Sequence, residues 1–259
     1  MHMLLAVDVG NSSTVLGVFD GERLAHSWRL TTARHATADE MAALLGQLLG
    51  QKGLEQGRLH GAAVAAVVPP LRTVWEEVAT LHLGCPALVV GADLDLGLRL
   101  EVERPSEVGA DRIVDGLAAW KLYGAPAIVV DCGTATTVDA IGAGGRYLGG
   151  AIAPGIGVAA EALFQRAALL YRVELRQPTG ALGTSTASQL QSGIVYGCAG
   201  QIDSLVERIR LEMGGAERVV ATGGFCQLIA PVCRTVTLVD PLLTLHGLRL
   251  AHAIHAGAE

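Results

Sequence analysis

VVDCGTATTV, residues 129–138, and AVDVGNSSTV, residues 6–15, are near copies of one element. Laid over one another, Asp8 meets Asp131, Gly10 meets Gly133, Thr14 meets Thr137 and Val15 meets Val138. The same offset runs on without a gap, setting Gly21 on Gly144 and Arg23 on Arg146. Each copy carries an apolar strand into Asp-x-Gly and then into a hairpin. Glycine permits a tight turn and a close backbone approach. The hydroxyls and backbone N–H groups that follow converge on one spot and suit phosphate oxygens. The aspartate at the strand end is placed to hold a cation, directly or through water, that offsets phosphate charge. A single strand-Asp-Gly is most often a plain surface hairpin. Two in one register, each with hydroxyls, point to a polyphosphate clamp between two related domains.

The surroundings of the two copies read alike. The first opens with strands over 3–7, 12–19 and 23–30, with Asp20-Gly21 as the hairpin turn. Thr37 and Glu40 form a capping box for a helix to about Leu49. A strand over 62–68, a helix from Pro70 to about 83 and a strand over 87–90 complete a β-β-β-α-β-α-β order. Ser106 reads as the cap of a helix over 107–123. The order then restarts with strands over 127–130, 136–141 and 146–151. Helices over 157–167 and 188–213, a strand over 219–221, a short helix over 225–229, a strand over 236–239 and a helix over 242–254 follow. The expected fold class is α/β, with two related domains over 1–113 and 114–259 and a nucleotide cleft between them.

Composition removes several function classes. Hydrophobic residues make up 51% of the 259 and charged ones 17%, which describes a folded chain. The net charge of −6, with no basic stripe, argues against nucleic acid as a main partner. No window reaches the ~18 uninterrupted apolar residues of a membrane span. The opening MHMLLAVDVG has no basic leader segment and its apolar run stops at Asp8, so it does not read as a signal peptide. The five cysteines include no CxxC pair, which fits a reducing cytoplasm better than a disulfide frame or a zinc knuckle. There is no G-x-x-x-x-G-K-[ST], which excludes a P-loop kinase by pattern. Residues 154–160 fit G-x-G-x-x-A, but the strand before them belongs to a hairpin, so a plain helix start is the better reading.

The duplicated element, together with a late Gly-Gly turn at ATGGF (221–225), resembles the actin, hexokinase and Hsp70 superfamily of ATP-binding folds. Within it, the match narrows. PSEVGADRIVDGLAAW (105–120), VVDCGTATTVDAI (129–141), YLGGAIAPGI (147–156), LGTSTASQLQSGIVYG (182–197) and VDPLLTLHGL (239–248) resemble type III pantothenate kinase, in order and across essentially the whole chain. The resemblance implies phosphorylation of pantothenate by ATP, the first step to coenzyme A. It also implies Mg2+, a monovalent cation (K+ or NH4+) and a homodimer. Carried over by motif, Asp8, Val9, Gly10, Asn11, Ser12, Ser13, Thr14 and Val15 form the first ATP phosphate loop, and Asp8 is a candidate Mg2+ ligand. Thr134 contacts ATP and Asp131 holds the monovalent cation. Val102, Gly109, Ala110, Asp111, Arg112 and Thr186 bind pantothenate, with Asp111 as the catalytic proton acceptor.

Two positions depart from the family pattern. Ser185 stands where an asparagine is usual, and Val102 where an aromatic residue is common. The chemistry asked of Asp111 is modest. Phosphoryl transfer passes through a loose transition state, so positioning and charge neutralisation dominate. A carboxylate that orients a hydroxyl toward the γ-phosphate suffices, because the proton leaves late. Two other readings use the same clamp: a kinase of another small metabolite, or an ATP-binding regulatory or assembly protein. The second has no need of Asp111 and Arg112.

Overall fold

The computed structural model of the chain describes residues 3–167 and 169–257. In chain order the first elements are β1 (Met3–Val9), β2 (Ser13–Asp20), β3 (Arg23–Thr31), α1 (Ala38–Gly50), β4 (Leu59–Ala66), α2 (Pro69–Glu77) and β5 (Ala87–Val89). They are the expected β-β-β-α-β-α-β. Gly21, at φ +62°, makes the β2–β3 turn. Thr37 caps α1 as the sequence requires: Glu40 N–H donates to Thr37 Oγ1 at 3.3 Å, and Thr37 N–H to Glu40 Oε2 at 2.8 Å. α2 begins on Pro69-Pro70, where missing N–H groups do no harm, and runs on as a π-helical turn over Val78–His82.

The second run is β6 (Arg99–Leu100), α3 (Ala110–Ala118), β7 (Ala127–Cys132), β8 (Ala135–Gly142), β9 (Arg146–Pro154), α4 (Ile156–Arg166), α5 (Thr186–Glu212), β10 (Arg218–Thr222), α6 (Cys226–Ile229), β11 (Leu238–Val239) and α7 (Leu243–His255). The helix expected from Ser106 begins later. A 3-10 turn occupies Pro105–Glu107, and α3 starts at Ala110 with no Ser106 cap. The two-residue β6 carries no sequence signal of its own.

The chain forms two compact units. Unit 1 takes the residues up to Leu98, Glu103–Ala118 and those from Thr244 onward; unit 2 takes Arg99–Val102 and Ala119–Leu243. The unit 1 sheet runs β3-β2-β1-β4-β5, and the unit 2 sheet β11-β10-β7-β8-β9-β6. Read from β9, the second order is that of the first with β6 added at the edge. In each, three antiparallel strands are followed by parallel ones. The repeat seen in the sequence is therefore a repeat of topology, and the fold is the duplicated α/β fold of the actin and hexokinase class. Within unit 1, α7 packs on α3 at Gly247, where any Cβ would collide with the Val114 carbonyl.

The gapless alignment of the two copies does not survive. Asp8 and Asp131 occupy equivalent ends of β1 and β7, but Asp8 pairs with Val15 whereas Asp131 pairs with Thr137. The first turn is one residue longer. Thr14 therefore corresponds to Thr136, and Leu16 to Val138, with Leu16 and Val138 in their own units' apolar cores. Strand side chains alternate with period two, so the one-residue difference in the loop puts Thr14 and Thr137, matched at the fixed offset, on opposite faces of their sheets. Identical letters at the fixed offset conceal that slip.

The unit 1 core joins Leu5, Val7 and Val9 of β1 with Leu16, Leu45, Val64 and Trp75. The unit 2 core joins Ile128, Val130, Val138 and Val219 with Val195, Ile202 and Val206 of α5. One buried acid ties α5 to the segment before β11. Asp203, 3% exposed, accepts from Arg234 N–H at 3.0 Å, Thr235 N–H at 3.0 Å and Thr235 Oγ1 at 2.7 Å. Burial works to raise its pKa, and the hydrogen bonds from Arg234 and Thr235 together outweigh burial, so the net shift is downward. The Arg234 side chain is 77% exposed, so its ion pair adds little. Asp203→Ala is expected to lower stability by about 2–3 kcal/mol, mostly from the stranded donors. Because the folded pKa is depressed, the Asp203 contribution is full above the ordinary carboxylate value of about 4. It is lost as pH falls through the folded value. Urea melts of both proteins at neutral and acid pH check this: the gap between them should close in acid. Among the described residues, no helix is long and apolar enough to cross a membrane.

Candidate functional site

Unit 1 supplies the first turn. The chain leaves β1 at Val9 and re-enters the sheet at Ser13. Gly10 N–H donates to the Ser13 carbonyl at 3.0 Å, and a Cβ on Gly10 would sit 2.9 Å from that oxygen. The turn has no room for a side chain there. The residues just after β3 fasten it from the side. Thr32 Oγ1 donates to the Gly10 carbonyl at 2.7 Å, and Thr32 N–H to the Ser12 carbonyl at 3.1 Å. The Thr14 and Thr32 hydroxyls lie 3.1 Å apart, and Arg34 Nη2 lies 3.3 Å from both the carbonyl and Oδ1 of Asn11. Asp8 is half-buried at the end of β1, Val9 and Thr14 are buried, and Asn11 and Ser12 are exposed at the tip. Thr32 and Arg34 are new members of this turn. They lie some twenty residues away in sequence, and no local pattern marks them.

Unit 1 also holds the stretch Gly109-Ala110-Asp111-Arg112, GADR. Ile113 N–H donates to the Gly109 carbonyl at 3.1 Å, the first bond of α3. Asp111 lies in that first turn, where the helix dipole favours an acid. Asp111 Oδ1 accepts from Arg112 N–H at 2.8 Å. A Cβ on Gly109 would collide with Asp111 Oδ1, so the glycine makes room for the carboxylate. Asp111 and Arg112 are both half-buried.

Unit 2 supplies the second turn. Gly133 N–H donates to the Ala135 carbonyl at 3.0 Å, closing it as Gly10 closes the first. Thr134 is exposed at its tip, and Gly155 N–H holds its carbonyl at 3.2 Å. The late turn ATGGF is laid directly on this one. Gly223, at φ +88°, would drive any Cβ into Asp131 Oδ1, and Phe225 N–H donates to the Cys132 carbonyl at 3.0 Å. Behind Asp131 lies a buried network that the sequence pattern leaves undecided. Asp139, 2% exposed, accepts from Tyr147 OH at 2.6 Å and from Thr137 Oγ1 at 3.0 Å. A lone acid in a strand gives no sign of which way it faces.

Val102 is half-buried beside Gly149, where an added Cβ would come within 3.6 Å of Val102 Cγ1. Thr186 is the first residue of α5. Ser185 caps that helix: its Oγ accepts from Ser188 N–H at 3.2 Å. The serine that replaces the usual asparagine thus keeps the capping role that either residue can fill. Thr186 lines an apolar cavity of about 540 Å³ between α4 and α5, with Ile156, Leu163, Leu190 and Ile194. The structure thus assembles the predicted residues as four local groups. The Asp8 turn and GADR lie in unit 1; the Asp131 turn with Thr134, and Thr186, lie in unit 2. Among the described residues, no three His, Cys, Asp or Glu side chains cluster to hold a metal by themselves. No disulfide joins the five cysteines, and burial pushes the Cys132 thiol up, so nothing marks it as a nucleophile.

The chain resembles known proteins along its full length. The family model described as type III pantothenate kinase matches residues 4–208. A type III pantothenate kinase of Moorella thermoacetica is 51% identical over 250 residues, covering 96% of this chain and 98% of that protein. One from Roseiflexus castenholzii is 46% identical over 253 residues, covering 98% and 99%. Among solved structures, a Baf family protein of Campylobacter jejuni superposes with a TM-score of 0.61 at 19% identity, covering 98% of this chain and 99% of that one. Component A of the (R)-2-hydroxyglutaryl-CoA dehydratase of Acidaminococcus fermentans gives 0.57 at 13% identity and covers both chains fully. At such identities these two structures speak for the fold alone. The family model and the near relatives go further: with its two Asp-Gly turns and its GADR helix start, this chain belongs to the type III pantothenate kinase family.

Proposed function

We propose that the chain transfers the γ-phosphoryl group of ATP to the hydroxyl of pantothenate, giving 4'-phosphopantothenate. The observation that carries this reading is the GADR helix start, with Asp111 half-buried in the first turn of α3, in a chain that belongs to this family. The first turn, from Asp8 to Val15, takes the ATP phosphates through the exposed tip at Asn11 and Ser12. Thr134, exposed at the tip of its own turn in unit 2, would contact ATP. Asp111 accepts the hydroxyl proton and aims the oxygen lone pair at phosphorus. Arg112, a planar cation, meets the acceptor's carboxylate or the transferring phosphoryl group.

Mg2+ fits the Asp8 carboxylate at the end of β1. Among the described residues no three acidic or imidazole side chains cluster, so Asp8 would hold the metal together with phosphate oxygens and water. When bound, the metal supplies charge neutralisation of the β- and γ-phosphates. Asp131, with one carboxylate flanked by hydroxyls, suits a monovalent cation such as K+ or NH4+.

Thr186 lines the apolar cavity and would bind pantothenate. Thr186→Ala is expected to raise KM for pantothenate about tenfold with kcat little changed, as loss of one hydrogen bond common to ground and transition states would do. Leu169 and Leu182, each at least 90% exposed, stand in the same unit as the exposed Ile152, Leu163 and Tyr171, and support the reading of a homodimer. The test of the function is acceptor choice. ADP release should need pantothenate, and glucose should not replace it. Equal release without acceptor, or release driven by the sugar, contradicts the proposal.

A further inference from the structure

Asp131 has company on its face of the unit 2 sheet. β7 pairs with β10 in parallel register, with Asp131 opposite Thr222. It pairs with β8 in antiparallel register, with Asp131 opposite Thr137. Directly opposed residues in either ladder put their side chains on the same face. A hydroxyl therefore flanks the carboxylate on each side, in a row across three strands. The alternate residues Val130, Cys132, Val138 and Ala221 fill the apolar core on the other face.

The two hydroxyls differ in a way that names their ligand. Thr222 is 0% exposed, and its Oγ1 has no hydrogen-bond partner. Valine has the same shape, suits a strand better and carries no such penalty. A buried, unpartnered hydroxyl asks for a ligand. Thr137 has its one proton engaged already, since its Oγ1 donates to Asp139 Oδ2 at 3.0 Å. Tyr147 OH, at 2.6 Å from Asp139 Oδ1, holds that acceptor still. A hydroxyl has one proton and two lone pairs, so the Thr137 oxygen has only lone pairs left to offer. A phosphate oxygen would need a donor there; a cation needs what is present. The set of one carboxylate and two hydroxyls is all hard oxygen with a single formal charge. That suits a hard monovalent cation, whose single charge the one carboxylate balances.

We infer that Thr222 and Thr137 ligate the monovalent cation on either side of Asp131, and that Asp139, steadied by Tyr147, is a positioning residue that fixes the Thr137 lone pairs. The inference rests on the reading of Asp131 as the cation residue. The test is thermal unfolding of the whole chain with ATP and Mg2+ present, in KCl against tetramethylammonium chloride at equal ionic strength. At K+ about tenfold above its Kd, the wild-type midpoint should rise by about 3–6 °C. Thr222→Val and Thr137→Val should remove at least half of that shift, and Thr222→Ser should keep it. In tetramethylammonium, Thr222→Val should melt no lower than wild type, because it removes an unpartnered hydroxyl. Tyr147→Phe should raise the K+ concentration at half-shift by about tenfold. If Asp131→Asn abolishes the shift while both valine variants retain it, the threonine assignment is overturned and the cation reading stands. If Thr222→Val melts lower by the same amount in both salts, its hydroxyl is structural and the assignment is again overturned. If wild type shows no K+ shift, the cation reading fails and this inference with it.

Discussion

Asp111→Asn is expected to lower kcat by a factor of about 100 or more, the effect of removing a general base. That factor corresponds to about 2.7 kcal/mol of transition-state stabilisation. Asparagine keeps the shape and still accepts the bond that Arg112 N–H now gives to Oδ1. The start of α3 should therefore hold, and the melting temperature should stay near that of wild type. KM for ATP should also be nearly unchanged, since the first phosphate turn is built by Gly10, Ser13, Thr14 and Thr32 and not by the GADR stretch. A loss confined to kcat marks a group that acts in the transition state. A loss shared by kcat, KM for ATP and stability would mark Asp111 as a structural residue of the helix start. Steady-state kinetics and a melting curve on the same preparation separate the two.

Gly223→Ala is expected to be the most damaging single-methyl change in unit 2. At φ +88° the residue sits where L side chains are strained, at a cost of about 1–3 kcal/mol before any clash is counted. The added Cβ would also stand 2.8 Å from both the N and the C of Cys132, backbone atoms in β7 that cannot step aside. It would collide with Asp131 Oδ1 as well. Either β10 moves away from β7 or the Asp131 carboxylate is turned out of its place. Loss of about 3 kcal/mol or more of stability, together with loss of K+ activation, is the expected result. The measurement is a urea melt paired with rates in K+ and in Na+. A stable protein with normal K+ activation would show that the late glycine turn has no part in holding Asp131.

Much of this architecture can be read from the letters. The duplicated Asp-x-Gly element, the Thr37 capping box and the Asp20-Gly21 turn are local signals. Each depends on contacts within a few residues, and all three appear in the structure. Other features depend on distance in the chain. The one-residue difference between the two turns is invisible in an alignment that matches Thr14 with Thr137, because the pairing register is set by the loop and the opposite strand. Thr32 and Arg34 brace the first turn from just beyond β3, and Gly223 braces the second from just beyond β10. α3 begins at Ala110 and not after Ser106, since Pro105–Glu107 forms a separate 3-10 turn. Asp139 could be weighed only once Tyr147 and Thr137 were seen to bond it. Turn chemistry is legible in sequence; the partners that hold a turn rigid are supplied by the sheet.

The most direct measurement is mass-spectrometric detection of 4'-phosphopantothenate formed from pantothenate and ATP by the purified chain, with Mg2+ and K+ present, beside the Asp111→Asn variant. Phosphopantothenate appearing in step with ADP for wild type, and about 100-fold more slowly for the variant, is the predicted result. A wild-type chain that binds ATP yet forms no phosphopantothenate would contradict it.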